Sequence, residues 1–169
     1  MKILGIDPGP EESGICLIET GKPLEVKILR CDKVSTSCIF RELETLISEG
    51  NAQVAIEGMV YQGRGFGQSS IQTCYLIGRI QQFCNHAWGI PFTLYSRREY
   101  GQWIVAGGQL NDATLRAALE SVYGKSAKKG DPLYALRGAS DKRSAFAIAK
   151  YHEHKLLHPN LYPNLSGVP

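Results

Sequence analysis

The sequence predicts a single α/β domain built on a mixed five-stranded sheet with helices on both faces. Two features carry that expectation. Short apolar runs with a period of two crowd the first third of the chain, and longer runs with helical spacing follow, so the order reads three strands, helix, strand, helix, strand, then helices. The length of 169 residues with 43% hydrophobic composition suits one buried core rather than two. The domain is expected to span residues 1–158, with a loosely held tail from 159 to 169.

Lys2 to Asp7, Gly14 to Glu19 and Leu24 to Arg30 read as a strand meander, punctuated by Asp7-Pro8-Gly9 and by Thr20-Gly21-Lys22-Pro23. Ile39 to Ser48 follows as an amphipathic helix, with Phe40, Leu43, Leu46 and Ile47 on one face and Gly50 closing it. Gln53 to Gly58 is a short strand in which Val54 and Ile56 face one way and Ala55 and Glu57 the other. A helix from about Ser69 to Ala87 carries an apolar stripe wide enough to cover the sheet and also meet a second subunit. Ile90 to Tyr95 is the fifth strand, and Pro91 suits its first residues. Helices are expected around Arg98 to Ala106, over Asn111 to Tyr123, and from Ser140 or Asp141 to about Leu157, with a basic loop between Lys125 and Gly138. His152, His154 and His158 are expected to be exposed at the end of the last helix.

No run approaches the roughly 18 to 20 apolar residues of a membrane span, and Asp7 interrupts any signal-like core, so a cytoplasmic protein with no membrane partner is expected. Cys16, Cys31, Cys38, Cys74 and Cys84 have no zinc-like spacing and fit reduced thiols. A net charge of +3 does not by itself predict a nucleic-acid partner. Its distribution says more, because the chain is acidic up to Val60 and basic from about Ile90 onward.

Three carboxylates carry the chemistry. Asp7 ends the first strand, Glu57 ends a short apolar strand, and Asp141 opens the last helix. Each has a structural alternative: Asp-Pro-Gly is a good turn sequence, a strand-end Glu can lie in solvent, and an Asp at a helix start is a favoured cap. Together they supply the hard oxygen ligands from which a Mg²⁺ or Mn²⁺ site for phosphodiester hydrolysis is built, with paired ions about 4 Å apart serving the attacking and leaving oxygens.

The stretch Ile3-Leu4-Gly5-Ile6-Asp7-Pro8-Gly9, the stretch Val54-Ala55-Ile56-Glu57, and Asp141 followed by Ala145-Phe146-Ala147-Ile148-Ala149 resemble, in order and spacing, the three acidic motifs of the RuvC family of Holliday junction resolvases. The resemblance runs from about Met1 to Tyr151. It implies an RNase H-like fold, a homodimer, and paired nicks across branched DNA such as a four-way junction. It also implies two divalent ions with DNA bound, Asp7 bridging them, Glu57 holding one and Asp141 the other.

The chain departs from that pattern where a second acidic residue would precede the Ala-rich run; Ser144 stands there and brings no charge. Three carboxylates and the scissile phosphate balance two divalent ions only when DNA is bound, so weak metal binding by the free protein is expected. Gly101 and Asp112 fall near places where the resemblance leads one to expect lysine. Arg97, Arg98, Arg116, Lys128, Lys129, Lys142 and Arg143 are the candidates for phosphate contact, although each alone is equally a solvated charge. Tyr61, Arg64 and Phe66, in the Gly-rich stretch after Glu57, are candidates for stacking on or contacting DNA near the junction centre. Alternative readings are a junction-binding protein that cuts weakly, and an RNase H-like nuclease acting on a flap, hybrid or RNA.

Overall fold

A computed structural model describes residues 1–21, 26–48, 52–60, 67–106 and 108–161. Its elements are β1 (Lys2–Asp7), β2 (Glu12–Glu19), β3 (Ile28–Ser35), α1 (Ile39–Ser48), β4 (Ala52–Gly58), α2 (Gln68–Gln82), β5 (Phe92–Ser96), α3 (Arg97–Val105), α4 (Asp112–Tyr123) and α5 (Ser140–Leu157). The described residues form one five-stranded sheet in the order β3-β2-β1-β4-β5. β1, β2 and β3 pair antiparallel, and β1, β4 and β5 pair parallel.

Alternation along the strands sorts the core into two layers. Leu4, Ile6, Val54 and Ile56 pack with Leu43, Ile47, Ile77 and Ile80 of α1 and α2. Ile3 and Ala55 pack with Leu115 and Leu119 of α4 and with Phe146 and Ile148 of α5. Asp7 and Glu57 share parity with Ile3 and Ala55, which places them on the α5 face of the sheet.

That face is organised by the close approach of α5. A Cβ on Gly5 would lie 2.0 Å from the Ala145 carbonyl oxygen and 3.0 Å from Ala149 Cβ. One on Gly14 would lie 2.2 Å from the Asp141 carbonyl oxygen. The two glycines of the sheet and the two alanines of the helix therefore let backbone touch backbone, which larger side chains would prevent. Buried side chains then run without interruption from Ser144 to Glu153, because the helix lies between the sheet on one side and α3 and α4 on the other. Lys150 and Glu153, both 3% exposed, form an ion pair inside this layer, and Glu153 also accepts from the Gly21 backbone N–H at 3.2 Å.

Two expectations are corrected. The third strand runs from Ile28 to Ser35, downstream of the apolar pattern around Leu24 to Arg30, whose residues 22–25 lie outside the described residues. It is an edge strand fixed by hydrogen bonding to β2, with Lys33 opposite Gly14, and an edge needs little apolar content. His152 is buried rather than exposed, at 5%. Its Nδ1 accepts from the Tyr95 hydroxyl and its Nε2 donates to Gln53 Oε1, each at 2.7 Å, a pairing that fits the neutral ring. His154 is half-buried and His158 is exposed. The apolar stripe of the long helix divides as well: Leu76, Ile77 and Ile80 are buried, while Ile71 and Tyr75 are exposed beside an exposed Cys74. The chain after Gln82 continues as a π-helical turn over Phe83–Ala87. In the tail, Pro159–Leu161 forms one 3₁₀ turn, and the remainder lies outside the described residues.

Replacing Gly5 with Ala is expected to destabilise the protein by at least about 1–3 kcal/mol, since no flexible side chain can yield to the new methyl. Urea unfolding of the variant beside the parent measures it. Burial lowers the His152 pKa to about 4, so the folded protein excludes a proton that the unfolded chain binds below about 6.5. Stability should therefore fall as pH drops from about 6.5 to 4, at up to about 1.4 kcal/mol per pH unit from this group. His152→Gln should flatten that part of the stability–pH curve.

Candidate active site

Asp7 and Glu57 close their strands side by side. β1 and β4 run parallel with Ile6 opposite Ile56, so the next residue of each strand projects from the same end and face of the sheet. Asp7 also pairs with Gly14 across β2, and Gly14 is where the first turn of α5 touches the sheet at Asp141. The missing side chain of one glycine thus brings the third carboxylate over the first. Ser144, one helical turn beyond Asp141, is 1% exposed.

The electrostatics are unfavourable for three anions. Burial, then the charges of Glu57 and Asp141, push the Asp7 carboxyl up to about 8, against smaller opposing effects from Arg97 and Ser144. Burial raises Glu57 too, opposed by a 2.6 Å hydrogen bond donated by the Tyr100 hydroxyl and by Arg97, whose Nη1 lies 3.8 Å from Oε1. Tyr100 is wholly buried and fixes the orientation of Glu57 from the dry side. Asp141 is turned outward, 3.3 Å from Lys33 Nζ, and accepts from the Ser140 hydroxyl at 3.0 Å. Among the described residues no three His, Cys, Asp or Glu side chains stand at ligating positions.

The residues nevertheless fit a divalent cation. Burial first, and then the charges of Glu57 and Asp141, disfavour the ionised Asp7 carboxylate, and a cation among these groups would offset that penalty. The Ser144 hydroxyl is buried beside Asp7 and makes no hydrogen bond among the described residues. Three carboxylates and a hydroxyl are the hard oxygen donors that Mg²⁺ or Mn²⁺ prefer, and no competing thiolate or imidazole lies among them.

The other candidates are placed unequally. Arg97 stands in the site, between Glu57 and Asp112, whose Oδ1 is 3.5 Å from Nη2. Lys142 Nζ donates to the Ala135 carbonyl at 2.7 Å and Arg143 Nη1 to the Leu136 carbonyl at 3.5 Å, so both half-buried side chains fasten the preceding loop onto α5. Arg116 pairs with Glu120 along α4. Arg98, Lys128 and Lys129 are exposed. Tyr61, Arg64 and Phe66 lie outside the described residues. Gly101 is buried, and a Cβ there would lie 2.4 Å from Leu110 Cδ2, so a larger residue would have to displace the Leu110 side chain. Sequence reasoning passed over Tyr100 and Lys33. Tyr100 was legible as the partner three positions beyond Arg97 on one helix face, whereas Lys33 depended on where the third strand lay.

No protein-family model and no curated protein sequence matches the chain. Among solved structures it is similar to Thermus thermophilus RuvC in complex with a Holliday junction substrate, with a TM-score of 0.71 and 18% identity over 90% of this chain and 92% of that one. A second Thermus thermophilus RuvC structure gives 0.69 and 21% identity over 94% and 97%. The yeast mitochondrial Holliday junction resolvase Ydc2 gives 0.58 and 14% identity over 96% and 83%. The chain therefore has the RNase H-like fold, in the form found in RuvC. Among the described residues no helix is long and apolar enough to cross a membrane.

Because the folded protein holds a proton on Asp7 that the unfolded chain releases above about 3.8, its metal-free stability should decline as pH rises from there to about 8. Asp7→Asn removes the burdened carboxyl and should stabilise the metal-free protein at pH 8, with the difference vanishing near pH 4. Urea titrations in a chelator at the two pH values test both sign and window.

Proposed function

We propose that this protein is a divalent-metal-dependent endonuclease that recognises branched DNA, a four-way junction in particular, and nicks it in pairs as a homodimer. The observation that carries the reading is the half-buried Asp7 carboxyl at the end of the central strand, with Glu57 on the neighbouring strand and the first turn of α5 bringing Asp141 over it. It is supported by a RuvC fold that matches the chain nearly end to end.

On this reading Asp7, Glu57 and Asp141 hold Mg²⁺ or Mn²⁺, two ions when DNA is bound, and Ser144 completes the donor set. When bound, the metal activates water for attack on the phosphodiester and stabilises the oxygen that leaves. Asp7 would hold the metal as its carboxylate, giving up its proton to solvent. Tyr100 holds Glu57 in the rotamer that faces Asp7, so this ligand needs no reordering. Asp141, paired with Lys33 in the metal-free protein, would leave that lysine to join. Arg98, Lys128 and Lys129 supply exposed positive charge for the DNA backbone. Ile71 and Tyr75, one turn apart on α2 with Cys74 beside them, provide the apolar stripe for the second copy.

A second reading, a junction-binding protein that cuts weakly, is favoured by one observation: the fourth oxygen beside Asp7 is the uncharged Ser144 hydroxyl. A labelled four-way junction with Mg²⁺ or Mn²⁺ separates the two. The nuclease reading expects paired nicks that Asp7→Asn reduces by at least about a hundredfold with junction affinity retained. Binding without nicks in either metal would establish the second reading. Normal cutting by Asp7→Asn would remove the site assignment altogether.

A further inference from the structure

We infer that Arg97 and Lys33 are positioning residues that serve as counter-cations of the metal-free site, yield their carboxylates to the entering metal, and then turn to DNA phosphates. The inference rests on the nuclease reading and assigns these two side chains their part in it.

The arrangement is nearly symmetric about Asp7. Lys33 comes from edge strand β3 and Arg97 from the first residue after the opposite edge strand, β5, so the two cations approach the site from opposite edges of the sheet. Each has one inward and one outward acid. Lys33 Nζ lies 3.3 Å from Asp141 and 2.6 Å from Glu12; Arg97 lies 3.8 Å from Glu57 and 3.5 Å from Asp112. The inward acids are 32% and 14% exposed and the outward ones 52% and 56%, so each cation stands at the rim of the site.

Charge decides how these pairs respond when a metal enters. A divalent ion among Asp7, Glu57 and Asp141 offers each carboxylate more charge at shorter range than a half-exposed ammonium or guanidinium does. The same ion repels both cations. Glu57 keeps its Tyr100 hydrogen bond throughout and so stays in place while Arg97 leaves. Glu12 and Asp112 keep the released side chains at the rim. Metal and DNA then bind cooperatively: the metal releases two cations for the backbone, and without metal those cations are spent on the protein's own carboxylates.

Manganese binding to the DNA-free protein, followed by calorimetry, tests the first half. Arg97→Gln and Lys33→Gln should each bind Mn²⁺ about threefold or more tightly than the parent, because a competitor for a ligand is gone; damage to the fold would weaken binding instead. Fluorescence anisotropy with a labelled four-way junction tests the second half. The parent's affinity should rise from EDTA to Ca²⁺, each Gln variant should lose most of that rise, and Arg97→Lys should retain it. Unchanged or weaker Mn²⁺ binding in both Gln variants, or a calcium gain surviving in both, would overturn the inference. If the parent neither binds Mn²⁺ nor nicks the junction, the nuclease reading fails and the inference with it. If the parent nicks while the variants' Mn²⁺ affinity does not move, the inference alone fails.

Discussion

Everything at the site depends on how closely α5 lies on the sheet. Gly5 and Gly14 carry no side chain where the helix crosses, and Ala145 and Ala149 present the smallest apolar surface in return. That contact sets the height of the helix above β1 and β2. Ser144 is buried beside Asp7 as a result, and Asp141 hangs over the residue that pairs with Asp7. A helix raised by one methyl group would separate two of the three carboxylates without changing any of them. The site is in this sense a packing result, and its geometry is as precise as the core beneath it.

The same packing makes the site electrostatically costly. Desolvation acts on Asp7 and Glu57 together, and among the described residues Arg97, Lys33 and the Tyr100 hydroxyl are set against the three acids. Two of these three lie at the rim and have other acids to satisfy. A fold selected for stability alone would place apolar side chains here. The unlike demands, burial for the strands and charge near their ends, meet at the spot where a doubly charged ion would offset them.

The fold persists at low sequence identity to its structural neighbours because most of it needs only the right type of residue. Strand interiors need alternation, α1 and α4 need an apolar stripe, and the caps need a few side chains such as Ser96 and Asn111, which both form capping boxes. The departures within the site follow local packing. Leu110 occupies the space that a side chain at position 101 would enter, and Asp112, where a cation was expected, instead holds one from α3.

Much was determined by the sequence itself. The five strands and their order along the chain, the bounds of α1 and β1, the capped start of α4 and the three carboxylates are readable because each depends on neighbours within a few residues. Tertiary structure decided the rest. The position of β3, the burial of His152 against Tyr95 and Gln53, the role of Tyr100 and the capture of Lys33 by Asp141 all depend on partners distant in the chain. Even the central carboxylates divide this way. Their identity lies in local strand and helix ends, but their meeting depends on parallel pairing of β1 with β4 and on a glycine that lets a helix touch the sheet. Local preference places a side chain on an element, and only long-range packing determines which other charges it must face.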